Sequence, residues 1–328
     1  MQKIVPQELQ KGDEIRVIAP SRGIKIIGKD AREIATRRFK EMGLTVTYGR
    51  HTTDDNWDMF GTAAIDRRVD DLMEAFGDPK VKAVFTIIGG FNSNMLLPFL
   101  DYGLIKKNPK IFCGFSDITA LLNGIYAKTG LVTFSGPHFS SLGMLKGSGY
   151  TLENLQKMLF GPRCNEVEPS AEWSDDLWFL DQEKRDFIPN EGYWTIHGGM
   201  AEGTIVGGNL GTFNLLQGTP YRPEFKEDTI FFAEDCFTSG GDDTAFLREL
   251  QSVAQQPDFG NVKALVIGRF QKASGMTREK MEYIIRSIPQ LEGLPVLANV
   301  DFGHTTPLLT IPVGGTATLK NGRLSLSL

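Results

Sequence analysis

No stretch of this 328-residue chain comes near the ~18 uninterrupted apolar residues that a membrane-spanning helix needs. Its first twenty residues carry charges and prolines where a secretory signal has an apolar block, so a cytoplasmic location is the expectation. Cysteine is scarce. Cys113, Cys164 and Cys236 are odd in number, far apart and outside any C-x-x-C pair, which reads as reduced packing residues and not as a disulfide framework. The four histidines, His51, His138, His197 and His304, lack ligand spacing, so no metal centre is expected. The glycine-rich turns match neither G-x-x-x-x-G-K-[ST] nor G-x-G-x-x-G, and no nucleotide cofactor is expected either. Charge of one sign is also missing. A net charge of −5 argues against a general nucleic-acid or anionic-membrane partner but leaves room for a small nucleotide-like ligand.

What is present is an ordinary globular composition, with 41% apolar and 23% charged residues, on a chain long enough to bury roughly 75% of its unfolded surface without staples. The length favours two domains. In the first half, strand-like runs at 14–20, 44–48, 83–88, 111–114 and 131–134 alternate with helical patterns at 30–42, 63–76, 92–100 and 118–128. That alternation predicts an α/β domain with a mostly parallel sheet, over residues 1–160, whose ligands bind beyond the carboxyl ends of the strands. Residues 161–200 turn polar, acidic and irregular while holding Trp173, Trp178 and Trp194, and read as a linker plus a long loop, either a lid or a packed connector. A second, smaller α/β domain follows over 201–328. Its strands are predicted at 203–206, 229–233, 264–267 and 296–300, with a turn at 207–209 and helices at 210–216, 244–254 and 278–288. Short antiparallel strands with a turn at Asn321-Gly322 close the chain.

One decapeptide, Ile-Phe-Cys-Gly-Phe-Ser-Asp-Ile-Thr-Ala at 111–120, carries a serine at a strand-to-helix junction. There Ser116 is either the N-cap of a helix or a nucleophile whose hydroxyl is pushed out of the sheet edge. A serine hydrolase also needs a base and a carboxylate to orient it. His304, in a Gly-His-Thr-Thr-Pro turn after an apolar strand, and His138, after Ser135-Gly136-Pro137, compete as the base. Glu234 and Asp235 end the apolar run TIFFA, where a carboxylate is poorly solvated unless paired. Gly89-Gly90 ends another strand and reads as a tight turn or as a place where the backbone approaches a substrate.

Six stretches narrow this set: IRVIAPS (15–21), IIGGFNSNMLLPFLDYGLI (87–105), IFCGFSDITALLNGIYAKTGLVTFSGP (111–137), AEGTIVGGNLGTFNLLQGTPY (201–221), FFAEDC (231–236) and DFGHTTPLLTIPVG (301–314). On these the chain resembles the LD-carboxypeptidase family of serine peptidases, most closely its microcin-immunity (MccF-like) branch. The resemblance implies a triad of Ser116, Glu234 and His304, a homodimer, and no cofactor. It leaves Asp235 structural and the part of His138 open. The oxyanion is then expected to meet the N–H of Asp117 and one from Gly89-Gly90, with Ser93 and Asn94 either lining the pocket or capping the helix, and Trp178 either stacking on a nucleobase or simply packing. Two substrates fit that chemistry: an amide joining a peptidyl or aminoacyl part to a nucleotide-like part, or the terminal D-alanine of a muropeptide. The motif IGGFNSN, with Ile88 where the second branch more often has arginine, favours the first. A third reading, of another class, is a two-domain protein that closes on a ligand without chemistry.

Overall fold

The computed structural model describes residues 2–53, 57–226, 228–237 and 242–328. The first half folds as its alternation predicts. Strands β1 (Glu14–Ile18), β2 (Thr45–Tyr48), β3 (Val81–Thr86), β4 (Ile111–Gly114) and β5 (Thr133–Ser135) pair in parallel. Between and after them run α1 (Lys29–Glu41), α2 (Ile65–Gly77), α3 (Tyr102–Lys107), α4 (Thr119–Thr129) and α5 (Gly149–Leu159). Helices α1 and α2 bury one stripe each, through Ala31, Ala35 and Phe39 and through Leu72, Ala75 and Phe76. Helix α4 differs: every residue from Thr119 to Ile125 is buried, so all its sides are covered, as expected of a helix packed between two layers.

Residues 161–200 correct the expectation of a strandless connector. Here β6 (Cys164–Val167), β7 (Glu172–Trp173), β8 (Ile188–Pro189) and β9 (Trp194–His197) form. Strands β7 and β8 make a two-stranded ribbon, while β6 and β9 are the two outer strands of the second sheet. Outer strands are half solvated, so they need little apolar sequence, and their polarity hid them.

The second sheet has eight strands. Strand β10 (Met200–Asn209) is followed by α6 (Leu210–Asn214), β11 (Thr229–Glu234), α7 (Asp243–Ala254), β12 (Val262–Gly268), α8 (Arg278–Ser287) and β13 (Val296–Val300). Strands β10 to β13 are parallel neighbours; β15 (Thr316–Lys320), β16 (Arg323–Ser327) and β6 extend the sheet antiparallel on one side and β9 on the other. Strand β14 (Ile311–Val313) does not join them. It returns to the first sheet, antiparallel to β5, so that the order there is β14-β5-β4-β3-β1-β2. The hairpin between β15 and β16 turns at Asn321 and Gly322, both with positive φ, as the two-residue turn predicts.

The expected turn at 207–209 is strand instead. Gly207 and Gly208 extend β10 with φ of 136° and 138°, and a Cβ on Gly208 would lie 2.5 Å from Thr119 Oγ1. Glycine therefore lets the strand press flat against α4. Across this contact Asn123 Nδ2 donates to the Gly207 carbonyl at 2.8 Å, and the Asn209 N–H donates to Thr119 Oγ1 at 3.0 Å. These bonds hold the helix behind Ser116 against the strand that ends beside Glu234.

Candidate active site

Strand β4 is fully buried and leads through extended Phe115 into Ser116, whose φ of +60° lies in the left-handed region. That conformation costs a non-glycine residue about 1–2 kcal/mol. It turns the chain sharply from strand into the short helical turn Ser116–Ile118 that precedes α4, and lifts the hydroxyl off the sheet. Opposite it, the turn after β13 carries His304. The His304 Nε2 lies 2.9 Å from Ser116 Oγ, and His304 Nδ1 lies 2.7 Å from Glu234 Oε2. Glu234, the last residue of β11, is 3% exposed, and its other oxygen accepts from Asn209 Nδ2 at 3.2 Å. Three residues from three strand ends in two sheets thus form one unbroken chain of hydrogen bonds.

The electrostatics favour a proton on the histidine. Burial alone would push the His304 pKa down, but the charge and hydrogen bond of Glu234, with Cys236 adding to them, outweigh it and raise the pKa well above 6.5. His138 takes the opposite course. Its burial, helped by the charge of His304, pushes its pKa down to about 3, so it stays neutral. It is not part of the chain of hydrogen bonds: its Nδ1 meets Thr86 Oγ1 at 2.7 Å, and its ring stacks 4.4 Å from that of Phe115.

The other expected residues sort into two groups. Asp117 is a brace. Its buried carboxylate accepts from Ser21 Oγ at 2.5 Å, from the Ser93 N–H at 2.9 Å and from the Asn92 N–H at 3.1 Å. It thereby ties the Gly89-Gly90 loop and the end of the IRVIAPS segment to the Ser116 turn. Ser93 is fully buried and donates from its hydroxyl to the Asp117 carbonyl at 2.7 Å, which braces the loop. Gly89 lies directly against Ser116, since a Cβ there would be 3.0 Å from the Ser116 Cβ. Asn94 is half-buried on the same segment. His51 and His197 stand away from this constellation, His51 donating its N–H to Asp71 at 3.0 Å and His197 Nδ1 facing the Leu294 carbonyl at 3.2 Å.

Trp178 is half-buried in a loop anchored beside His304. Ser174 and Thr306 exchange backbone hydrogen bonds of 2.8 and 2.7 Å, and Trp178 stacks edge-on with Phe179 at 6.0 Å. The base of the loop is fixed by Asp301, a residue that sequence reasoning missed. Asp301 is fully buried, pairs with Arg269, and accepts from the Ser170 N–H at 2.7 Å, Ser170 Oγ at 2.9 Å and Tyr193 Oη at 3.0 Å. Its only sequence signal is an aspartate at a strand end three residues before His304. Among the described residues, no helix is long and apolar enough to cross a membrane and no group of three or more His, Cys, Asp or Glu is placed to hold a metal ion.

Comparison with known proteins decides the family. The sequence model of the LD-carboxypeptidase N-terminal domain matches residues 15–136, and that of the C-terminal domain matches residues 202–319. The chain belongs to the LD-carboxypeptidase family. Like its relatives it is a serine hydrolase of the peptidase type. The Bacillus subtilis protein YocD, which bears a provisional carboxypeptidase name, is 49% identical over 95% of both chains. The crystal structure of an MccF-like protein from Bacillus anthracis superposes with a TM-score of 0.95 at 48% identity, covering 99% of each chain. The microcin C7 self-immunity protein MccF of Escherichia coli is 31% identical over 93% of this chain and 90% of its own. Its structure in complex with aspartyl sulfamoyl adenosine superposes with a TM-score of 0.88, covering 99% of this chain and 98% of that one.

Proposed function

We propose that the protein hydrolyses the amide of aminoacyl- or peptidyl-nucleotide substrates, and so acts as a self-immunity or detoxifying peptidase with Ser116, His304 and Glu234 as its triad. The observation that carries the reading is the chain of hydrogen bonds from Ser116 Oγ through both nitrogens of His304 to Glu234. In this reading, His304 Nε2 removes the hydroxyl proton as Ser116 Oγ attacks the substrate carbonyl carbon. The same proton then passes to the leaving nitrogen as the carbon–nitrogen bond breaks, and water attacks the acyl-enzyme by the same route. Glu234 holds the tautomer and stabilises the imidazolium. The oxyanion meets the N–H of Asp117 and one from the Gly89-Gly90 loop, which the Asp117 carboxylate holds in place.

Support for the nucleotide part is the likeness to MccF, solved with aspartyl sulfamoyl adenosine, together with Trp178 on a loop rooted beside His304. An indole stacking on a nucleobase contributes roughly 1–3 kcal/mol. Cytoplasmic location and a homodimer belong to the same reading and rest on the family resemblance. The test is incubation with aspartyl sulfamoyl adenosine and, separately, with a muropeptide tetrapeptide, followed by mass spectrometry. Release of aspartate from the first supports the reading. Release of D-alanine from the second alone replaces it with muropeptide trimming. Ser116→Ala loses turnover by roughly a thousandfold or more, and undiminished hydrolysis by that variant would refute the triad.

A further inference from the structure

His138 has one buried nitrogen that nothing among the described residues satisfies. Its Nδ1 meets Thr86 Oγ1 at 2.7 Å, and Thr86 Oγ1 in turn lies 3.3 Å from the Cys113 carbonyl. A carbonyl can only accept, so the arrangement that uses every hydrogen has Nδ1–H donating to Thr86 and Thr86 donating to Cys113. The Nε2 atom is then a bare lone pair, buried and without a partner. It borders the nucleophile: a Cβ placed on Gly89 would sit 3.1 Å from Ser116 Oγ and 3.4 Å from His138 Nε2. The ring of Phe115 borders both imidazoles, its centroid 4.4 Å from that of His138 and 5.3 Å from that of His304.

The serine hydroxyl has one hydrogen and two histidines near it. When His304 is neutral, that hydrogen goes to His304 Nε2. When His304 is protonated, its own Nε2–H occupies the same line to Ser116 Oγ, and the hydroxyl hydrogen must point elsewhere. We propose that His138 Nε2 is the acceptor that receives the Ser116 hydroxyl hydrogen whenever His304 carries its proton, which makes His138 a positioning residue that stabilises the resting, protonated state of the site. The hydroxyl hydrogen turns toward it about the Ser116 Cβ–Oγ bond, so that Oγ still accepts from His304 Nε2–H. No bond is made or broken beyond that rotation. The groups facing the two imidazoles agree with this: Glu234 and Cys236 act on His304, and His304 itself acts on His138, whose neutrality keeps the lone pair free. Cys113, buried under His138 with its thiol toward the Pro137 carbonyl, stays an uncharged thiol because burial pushes its pKa up.

The inference rests on the proposed roles of Ser116 and His304, and a pair of near-isosteric variants tests it separately. In His138→Gln the side-chain amide reaches the place of Nε2. In His138→Asn it reaches only the place of Nδ1, so the contact with Thr86 survives and the acceptor is lost. The acid limb of kcat/KM against pH is measured for both, with the substrate that the wild type turns over. Losing the acceptor destabilises protonated His304, so His138→Asn moves the limb down by about 0.4 to 1 pH unit, the worth of one hydrogen bond, while His138→Gln leaves it in place. Equal shifts in both variants, or a loss of kcat with no shift in either, overturn the proposal. Nitrogen-15 NMR of histidine-labelled wild-type protein gives a reading that no variant can spoil by misfolding. His138 Nε2 is expected to be unprotonated and to change its shift as His304 titrates; a proton found on His138 Nε2 overturns the proposal. An active Ser116→Ala would instead bring down the triad reading beneath it.

Discussion

At the scale of the residue, the site holds two kinds of cost: strain at Ser116 and unpaired charge around Glu234. Asp235, next to Glu234, is 4% exposed. One of its oxygens accepts from the Cys236 N–H at 2.8 Å, and the other has no partner among the described residues. Burial, then the nearby charge of Glu234, pushes its pKa up to about 7. An acid whose folded pKa is raised opposes folding as pH climbs from the usual carboxylate range through the folded value. Asp235→Asn should therefore gain stability over the wild type as pH rises from 4 to about 7, on the order of 2 kcal/mol at pH 8, with little difference near pH 4. Thermal melts at the two ends of that range check it. For His304 the raised pKa has a kinetic consequence, because only the neutral imidazole takes a proton: kcat/KM should fall as pH drops through a value above 6.5. Glu234→Gln should move that limb down and lower kcat roughly a thousandfold or more, read from pH–rate profiles. Ser116 stood out because its signal is local, a buried strand, one glycine and a helix start within ten residues, but that signal fits a helix N-cap as well as a nucleophile. Its hydrogen-bond partner lies 188 residues away, and no spacing rule reaches that far.

The elements show where periodicity succeeds and where it fails. Strands β1, β3 and β4 were readable because a parallel strand covered on both faces is a run of apolar residues. Strands β6 and β9 were not, because their outer positions tolerate polar side chains. Strand β10 failed for a third reason: glycines that suit a turn also suit a strand pressed onto a helix. Gly208→Ala should be costly, since its Cβ meets Thr119 at 2.5 Å and its φ is +138°. A loss of about 2–4 kcal/mol and a lower kcat are expected, because the contact aligns α4 with Asn209. Gly260, where a Cβ meets nothing within 4 Å, serves as the control, and Gly260→Ala should leave both quantities nearly unchanged. Chemical denaturation and steady-state rates on the two variants decide the matter.

At the scale of the whole molecule the two sheets are interlocked and not merely tethered. The chain leaves the first sheet after β5, builds the second, and returns with β14 to pair with β5. Ile311 and Val313 on β14 are fully buried, so an isolated piece ending at residue 160 would expose the β5 edge and the apolar surface that they cover. Such a fragment should fail to fold, giving a collapsed amide proton spectrum, while the intact protein should unfold in one transition followed alike by far-ultraviolet circular dichroism and tryptophan fluorescence. Independent melting of two halves would contradict this.

The return of β14 also sets a clock on biosynthesis. A ribosome delivers Ser116 before Glu234 and His304, and the strand that seals its sheet after all three. Until β14 emerges, Ser116 sits in a sheet whose β5 edge is open. A nascent chain that has not yet reached β14 is therefore expected to hydrolyse nothing.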